Sequence, residues 1–347
     1  MAVLVSTPAV AHATAAAWIA APASTTTGLA WLEVGKSDGD ARTVAAFRGD
    51  RLVIRTAGRI HEVVHRPCTE QPCDAVQAPV ALADGTFAYA VAFPGTGGYV
   101  ARATADGRST VIAEDQTDPH EIRYPHPVAT TGAGIAWLDG NRVHLAPPGR
   151  SGFLAVRSAQ AGGTITAIAA GPGGIAWIAR TERGGTIIGV RSRTGVLSLR
   201  ASEPDASKAR FASLAIADDG TVVAIRRVAD GAAWRTELDA YAPDGASRLL
   251  QSSPALAASS TAETPQPSTL GSRVAVRLRG GAAGELDVVW LFDLASGAHQ
   301  RVVAVKRANA RISNPSLGGG RLVWARDGVS PSGGLVRSRL FVARLLP

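Results

Sequence analysis

The densest group of chemically reactive side chains lies in residues 118–127, which read Asp-Pro-His-Glu-Ile-Arg-Tyr-Pro-His-Pro. Its members of interest are His120, Glu121, Arg123, Tyr124 and His126. Imidazole and carboxylate groups exchange protons and bind metals, and Arg and Tyr donate hydrogen bonds to ligands. We therefore expect a ligand-binding site in this segment. The alternative is that its prolines only preset entry into a strand and its histidines are solvated.

Two other polar residues, Gln266 and Asn314, precede a proline in the same manner, and we assign them to the same candidate site. A metal would require a third ligand from a distant part of the chain, which the spacing does not identify. We therefore assign no metal ligand, no cofactor and no catalytic residue.

The sequence carries none of the common hydrolase or nucleotide-binding motifs. The nearest match to a GxSxG nucleophile turn, residues 328–333, lacks the second glycine at the required position. Glycoside hydrolysis needs two carboxylates about 5 to 9 Å apart. The sequence does not pair any of four candidates, which are Asp139, Asp239, Asp287 and Asp293. We expect Asp239 and Asp293 in hairpin strands toward the outside of their sheets, which disfavours them.

The two cysteines of the chain, Cys68 and Cys73, lie between two predicted strands and follow Pro67 and Pro72. A zinc site would need more ligands, and a redox pair normally has the spacing CxxC. We predict a structural disulfide at a hairpin tip, formed in an oxidising compartment. The alternative is two free thiols in a cytosolic protein.

The N-terminus resembles the end of a signal peptide. Residues 2–10 are mostly apolar, and Ala11-His12-Ala13 is a small-x-small cleavage site, although the usual basic region is missing. We predict a clipped signal peptide over residues 1–13, a single domain over 14–347, and an extracellular or envelope-associated protein. The alternative is an Ala-rich disordered end.

The charge balance identifies no partner. The chain has 36 basic and 28 acidic residues, a net charge of +8. Only Lys36, Lys208 and Lys306 are lysines, so the excess consists of arginine and indicates codon bias. The basic residues form no run and no apolar stretch is long enough to span a bilayer, so we expect no nucleic-acid partner, no membrane span and a monomer.

Internal repeats give the strongest structural signal in the 347 residues. A glycine turn followed by a short β-rich run recurs seven times, with glycines at positions 49, 85, 134, 174, 220, 271 and 320. The spacing averages about 45 residues, which is typical of four-stranded propeller blades. A further copy at Gly28 is too close to Gly49 to begin a blade of its own.

Each repeat continues with two short strands around a polar turn, such as Asp106-Gly107, Asp244-Gly245 or Ser296-Gly297. Each repeat therefore has four strands, which predicts an all-β, seven-bladed β-propeller. Its second strands should bury their aromatic residues, which are Trp31, Trp137, Trp177 and Trp324. The last repeat is one strand short, so we expect residues 15–34 to join it and close the ring.

The turns Ala217-Asp218-Asp219-Gly220-Thr221 and Ala83-Asp84-Gly85-Thr86, with the hairpin at Pro243-Asp244-Gly245, resemble the repeats of TolB-like and WD-repeat-like β-propellers. The resemblance implies an extracytoplasmic binding scaffold and carries over no catalytic residue. In such a fold, residues 118–127 would connect two blades near the central channel.

Two functions are compatible with these features. The first is a secreted, non-enzymatic propeller that binds a protein or a cell-envelope polymer on its loop face. The alternative is a carbohydrate-active enzyme, a glycosidase or lyase, with its site at the mouth of the channel.

Overall fold

The computed structural model describes thirteen stretches of the chain: residues 5–7, 17–35, 48–49, 51–57, 59–65, 75–77, 79–93, 97–115, 128–129, 134–148, 153–257, 264–330 and 335–345. Residues 118–127, with His120, Glu121, Arg123, Tyr124 and His126, lie outside the described residues, and so do Cys68 and Cys73. The chain divides into two compact units, and the division falls near residues 140–154 and at residue 307.

The first unit contains three complete antiparallel sheets, numbered here in chain order. Sheet 1 consists of Ala17–Ser24, Gly28–Gly35, Arg51–Thr56 and Arg59–His65. In sheet 2, Ala75–Gln77 and Val80–Ala81 lie on the same side of Phe87–Phe93 and are counted together as the first strand. Phe87–Phe93, Gly97–Ala103 and Ser109–Asp115 are its second, third and fourth strands, and Arg48–Gly49 pairs with Ala75–Gln77. Sheet 7 consists of Ala310–Ile312 and Ser316–Gly318, which share one side of Arg321–Val329, followed by Leu335–Arg344 and Val5–Thr7.

The second unit contains three further sheets. Sheet 4 consists of Thr164–Gly171, Gly174–Arg180, Thr186–Ser192 and Leu197–Glu203. Sheet 5 consists of Ala209–Ile216, Val222–Asp230, Ala233–Tyr241 and Ser247–Ser252, with Leu256–Ala257 beside Ala233–Tyr241. Sheet 6 consists of Ser268–Leu270, Arg273–Gly280, Leu286–Asp293 and His299–Lys306.

Sheet 3 lies where the two units are divided and consists of Val128–Ala129, Ile135–Asp139, Arg142–Ala146 and Phe153–Val156. One short helix, Ser158–Ala161, is the single helix within the described ranges. No helix in this part of the chain is long and apolar enough to cross a membrane.

The repeated glycine turn and apolar run correspond to the second strand of each sheet. These strands are buried on both faces, and for that reason their sequences are continuous apolar runs. The predicted burial of Trp31, Trp137, Trp177 and Trp324 is confirmed, since each is at most 6% exposed. The assignment within the first repeat was wrong. Gly28 begins the second strand of sheet 1, whereas the run after Gly49 is its third strand.

Glycine turns and aspartate side chains shape the links between strands. In Asp84-Gly85-Thr86 and Asp219-Gly220-Thr221, the aspartate accepts a hydrogen bond from the amide of the threonine two residues later, at 3.1 and 2.8 Å. The glycines have φ of 85° and 87°, a left-handed conformation that other residues adopt with strain. These turns therefore match the ones on which the propeller resemblance rests.

The hairpin between the third and fourth strands carries a β-bulge in sheets 1, 2, 4, 5 and 6. In sheet 4, for example, Arg200 is the extra residue, because Ile188 pairs with Ala201 and Gly189 pairs with Leu199. Bulges of this kind bend a strand and increase its twist. The fourth strands expose aliphatic side chains, among them Ile60, Val111, Leu199 and Leu249.

Neighbouring sheets within each unit pack through buried apolar side chains. Trp31 of sheet 1 packs with Val323, Ala325 and Leu340 of sheet 7 in the first unit. Hydroxyl groups add hydrogen bonds between neighbouring first strands, since Ser24 donates to the Gly318 carbonyl and Thr269 donates to the Ile216 carbonyl, both at 2.8 Å.

Two expectations about connections need correction. Residues 15–34 were expected in the last sheet, but Ala17–Ser24 and Gly28–Gly35 pair with each other and with Arg51–Thr56 to form sheet 1. The strand beside Leu335–Arg344 is Val5–Thr7. The cysteine segment was expected at a hairpin tip, but the strands before and after it belong to sheets 1 and 2, so it connects two sheets.

Candidate functional site

The structure describes two of the seven residues that the sequence assigned to a site. Gln266 is partly exposed between the buried Pro265 and Pro267, just before the first strand of sheet 6. Asn314 is partly exposed before the buried Pro315, between the two short strands that begin sheet 7. Gln266 belongs to the second unit and Asn314 to the first, so neither unit by itself brings them together.

Gln266 lies in the connection from sheet 5 to sheet 6, which is anchored to sheet 5 at two points. At its start, Ser253 and Thr236 exchange two hydrogen bonds, in which the Thr236 amide donates to the Ser253 hydroxyl at 3.0 Å and the Ser253 amide donates to the Thr236 carbonyl at 2.8 Å. Near its end, the buried Ser213 hydroxyl donates to the Pro265 carbonyl. These bonds hold both described ends of the connection at the same end of sheet 5.

The same end of sheet 5 carries two arginines and a tryptophan. Arg210 of the first strand is directly opposite Arg227 of the second strand in the register. The Arg210 guanidinium lies 4.9 Å from the centre of the Trp234 ring, a distance at which a cation is attracted to the ring face. Arg227 donates to the Thr264 hydroxyl of the connection at 3.4 Å. We call these four residues, Arg210, Arg227, Trp234 and Thr264, the arginine site.

The register of sheet 5 explains why these side chains meet. The first strand has an irregularity between Phe211 and Ser213, so that Arg210 lies opposite Arg227 while Ser213 lies opposite Ile225. The second and third strands pair in register, which places Thr236 opposite Arg227 and Trp234 opposite Ala229. Side chains at alternate positions of a strand share a face, so Arg227 and Trp234 lie on the same face of the sheet.

The electrostatics of the arginine site are unusual because Arg227 is only 7% exposed. Burial lowers the pKa of Arg227, and the nearby positive charge of Arg210 lowers it further. Arg210 itself is exposed. The site therefore presents two guanidinium groups, a hydroxyl and an indole ring, a combination that suits a ligand with negatively charged oxygens.

A second charged cluster occupies the opposite face of sheet 5, where sheet 4 packs. Arg226 donates to Glu203 of sheet 4 at 2.6 Å and to Glu237 of sheet 5 at 2.8 Å. Asp239 follows Glu237 on the same face of the third strand and is only 8% exposed. Burial raises the pKa of Asp239 to about 6, and the charge of Glu237 adds to this effect.

The neighbouring Tyr241 completes this cluster. Its hydroxyl lies 3.5 Å from an Asp239 carboxylate oxygen, and its ring packs edge-on against Phe211 at 5.9 Å. Burial raises the pKa of Tyr241, and the charge of Asp239 raises it further. We call Glu203, Arg226, Glu237, Asp239 and Tyr241 the carboxylate cluster.

The other three carboxylates considered from the sequence have structural partners. Asp287 is fully buried and accepts a hydrogen bond from Arg307 at 2.6 Å. Asp293 accepts hydrogen bonds from the Ser272 hydroxyl and from the backbone of the turn that follows it. Asp139 lies 3.3 Å from His144. Asp239 and Asp293 lie on the third strands of sheets 5 and 6, in the hairpin strands to which the sequence assigned them.

No group of three or more His, Cys, Asp or Glu side chains suited to a metal ion occurs among the residues that the structure describes. Sequence reasoning did not identify the arginine site. The sequence feature that could have indicated it is the pair Arg226-Arg227 in a mostly apolar second strand. Adjacent residues of a strand point to opposite faces, so such a pair places one arginine on each face of the sheet. The pair therefore supplies one charge to each of the two clusters.

No family model matches the chain, and no curated protein matches it. Among solved structures it is similar to a protein of unknown function from Dyadobacter fermentans DSM 18053, with 14% identity, 99% of each chain covered and a TM-score of 0.51. It is also similar to a chain of the mitotic checkpoint complex, with 8% identity, 99% of this chain and 95% of that chain covered, and a TM-score of 0.51.

A third similar structure is a puromycin-hydrolyzing peptidase from Mycobacterium tuberculosis, with 13% identity and a TM-score of 0.52. The match covers 93% of this chain and 53% of the peptidase, so the chain spans about half of that enzyme. Identities this low show the fold alone. Together with the seven sheets, they support a seven-bladed, all-β propeller.

Proposed function

We propose that the protein is a secreted, non-enzymatic β-propeller that binds a protein or cell-envelope polymer on the face where its sheet-to-sheet connections lie. The observation that supports this proposal is the arginine site, where Arg210 and Arg227 meet Trp234 beside the connection that holds Gln266. Propellers act as rigid supports whose loops carry the binding residues. Arg210 is exposed and Trp234 is partly exposed, and arginine and aromatic side chains are enriched at partner-binding surfaces.

Partner capture tests this proposal. Immobilised protein would be exposed to culture medium and to a cell-envelope fraction, with the double variant Arg210→Ala, Gln266→Ala compared in parallel. We expect the double variant to lose most of the captured partner. The matched control is Arg301→Ala, an exposed arginine on the fourth strand of sheet 6. Equal capture by the wild type and the double variant would show that the partner binds elsewhere.

Export is a separate part of the proposal, supported by the Ala11-His12-Ala13 site and by the Cys68–Cys73 pair. N-terminal sequencing of the protein recovered from the medium should begin at Thr14. Intact mass with and without reduction and alkylation should reveal one disulfide. A protein found only inside cells with two free thiols would contradict both expectations.

The alternative to cleavage after Ala13 is that an N-terminal strand closes the ring, and Val5–Thr7 is the strand that pairs with Leu335–Arg344. Cleavage would remove that strand. If closure by Val5–Thr7 is correct, a chain that begins at Thr14 should have a lower melting temperature than the full chain. Equal melting temperatures, combined with a mature N-terminus at Thr14, would favour cleavage.

The second candidate function, a carbohydrate-active enzyme, draws support from the carboxylate cluster. A carboxyl group with a pKa raised to about 6, such as Asp239, is still partly protonated at mildly acidic pH and can there act as a general acid. The test is the release of reducing ends from a panel of polysaccharides by the wild type and by Asp239→Asn. Activity that disappears in Asp239→Asn would favour the enzyme over the binding protein.

A further inference from the structure

The hairpin between the third and fourth strands of sheet 4 exposes a cluster of aliphatic side chains. Val196 in the turn is 62% exposed, and Leu197 and Leu199 at the start of the fourth strand are 41% and 61% exposed. Three of the eight large apolar side chains that are exposed in the described part of the chain therefore fall within four consecutive positions. Clustered exposed apolar side chains indicate a surface that contacts another molecule. We call these three residues the aliphatic tip.

Arginines flank the aliphatic tip. Arg191 and Arg193 precede it, Arg200 follows it, and residues 183–202 contain no Asp or Glu. Arg191 lies directly opposite Leu197 in the register, so the two side chains share a face of the hairpin. Arg193 is exposed, and it forms no ion pair within the described part of the chain. The hairpin therefore combines an apolar end with positive charges beside it.

The polar groups of the turn are already hydrogen-bonded within the turn. The Ser192 amide donates to the Val196 carbonyl and the Gly195 amide donates to the Ser192 carbonyl, both at 2.9 Å. The Val196 amide donates to the Ser192 hydroxyl at 3.1 Å. Because these groups have partners inside the protein, the turn can leave water at little cost.

The position of the hairpin leaves the aliphatic tip accessible. The four strands of sheet 4 pair in chain order, so the hairpin lies at the end of the sheet opposite to the connection toward sheet 5. A strand rises about 3.3 Å per residue, so Leu199 lies about 10 Å along the chain from Val196. Apolar groups that bind at a bilayer surface enter it to a depth of about 5 to 10 Å. The tip therefore has the length needed to enter this layer while the rest of the sheet stays outside.

The neighbouring hairpin of sheet 5 extends the same surface. Arg200 donates to the Pro243 carbonyl of its turn at 2.7 Å, which joins the two hairpins. Arg248 is exposed and Leu249 is 55% exposed near the start of its fourth strand. The turn of this hairpin also carries the exposed carboxylate of Asp244, which an anionic surface would repel. We therefore expect the sheet 4 hairpin to make the main contact.

We infer that the aliphatic tip inserts into the surface of an anionic lipid bilayer, with Arg191 and Arg193 contacting the lipid phosphates. Binding at a bilayer surface scales with the buried apolar area and with attraction between basic residues and anionic lipids. A protein partner is the less favoured occupant, because protein interfaces are enriched in aromatic side chains and this tip is aliphatic.

This inference goes beyond the proposed partner binding. The arginine site lies at the end of sheet 5 that holds the connection to sheet 6, whereas the hairpins lie at the other end. A protein bound to a bilayer through the aliphatic tip would therefore keep the arginine site accessible to a partner.

Co-sedimentation of the full chain with lipid vesicles tests the inference. The vesicles contain phosphatidylcholine and phosphatidylglycerol in equal parts, and vesicles of phosphatidylcholine alone are the comparison. We expect tighter binding to the mixed vesicles, and this binding should weaken with added salt. The double variant Val196→Ser, Leu199→Ser should bind the mixed vesicles about tenfold or more weakly, because it removes most of the apolar area of the tip.

Arg193→Gln tests the electrostatic part and should weaken binding to the mixed vesicles about fivefold. The matched control is Arg183→Gln, because Arg183 is an exposed arginine in the turn between the second and third strands, at the opposite end of sheet 4. The control should bind the vesicles like the wild type.

Val196→Trp provides a readout of insertion. Lipids with brominated acyl chains quench a tryptophan only where it enters the bilayer. The variant should therefore be quenched more strongly than the wild type with its seven tryptophans. Binding to the vesicles without additional quenching would show adsorption by charge alone and would contradict insertion.

Three further outcomes would overturn the inference: neither vesicle binds, the double variant binds as tightly as the wild type, or Arg183→Gln weakens binding as much as Arg193→Gln. Binding of poly-glutamate without binding of vesicles would identify an acidic protein segment as the ligand instead. Circular dichroism would confirm that each variant is folded. A protein that captures a partner but binds no vesicle would refute only this inference, and one that binds vesicles but captures no partner would refute only the proposed function.

Discussion

The raised pKa of Asp239 leads to a quantitative prediction about stability. The carboxyl group is buried between sheets 4 and 5, and burial and Glu237 raise its pKa from 3.8 to about 6. In the folded state the ionised form is therefore disfavoured relative to the unfolded chain. The contribution of Asp239 to stability is greatest at low pH and is lost as the pH rises through about 6.

The magnitude follows from linkage. Between pH 4.5 and 7.5, a shift of this size should lower the free energy of unfolding by about 2 kcal/mol. Asp239→Asn removes the titrating group and keeps a polar side chain of the same shape beside Tyr241. The difference in unfolding free energy between wild type and variant should therefore change by about 2 kcal/mol over this range, with the variant relatively more stable at pH 7.5.

Urea unfolding at pH 4.5, 6.0 and 7.5 measures this difference. The matched control is Asp244→Asn, which removes a carboxylate from the exposed turn of the same hairpin. If the stability difference between wild type and Asp239→Asn is the same at all three pH values, Asp239 does not titrate near pH 6 and the reasoning is wrong.

Two further predictions concern packing and buried charge. A Cβ added at Gly189 would overlap the buried indole of Trp177, so Gly189→Ala should destabilise the fold by about 2 kcal/mol or more, measured by urea unfolding. Gly184→Ala, where only the positive φ is unfavourable, should cost roughly 1 kcal/mol, and equal losses would contradict the packing argument. Arg307→Ala removes the nearer of two cations at the fully buried Asp287, since Arg307 lies 2.6 Å and Arg279 lies 3.8 Å from its carboxylate, and should lower the free energy of unfolding by about 2 kcal/mol. A change below about 1 kcal/mol would show that Arg279 alone is a sufficient partner for Asp287.

The sequence predicted the repeat pattern well because second strands are covered on both faces. Such strands need an unbroken apolar run after a glycine turn, and that signal identified the second strand of six of the seven sheets. It failed in sheet 1, where Gly28 and Gly49 begin similar runs and the third strand was taken for the second. Because the runs after Gly28 and Gly49 have similar residue types, the sequence does not show which of them is the second strand of the sheet and which is the third.

The arginine site could not be predicted because it depends on register. Arg210 and Arg227 are seventeen positions apart in the sequence, and an irregularity between Phe211 and Ser213 decides that they meet. Nothing in the residue types indicates that irregularity. The pKa of Asp239 likewise depends on the depth of burial and on Glu203, which belongs to a different sheet.

The recurring bulges of the third–fourth hairpins have a consequence for self-association. Among the described residues, the fourth strands are the edge strands of their sheets and carry exposed aliphatic side chains such as Ile60, Val111 and Leu249. Flat edges of this kind recruit other chains into growing intermolecular sheets. In sheet 4 the extra residue is Arg200, which interrupts the backbone hydrogen bonds between the third and fourth strands. Its guanidinium donates a hydrogen bond to the Pro243 carbonyl of sheet 5 at 2.7 Å. We expect each bulge to make its edge a poor template for such intermolecular sheets.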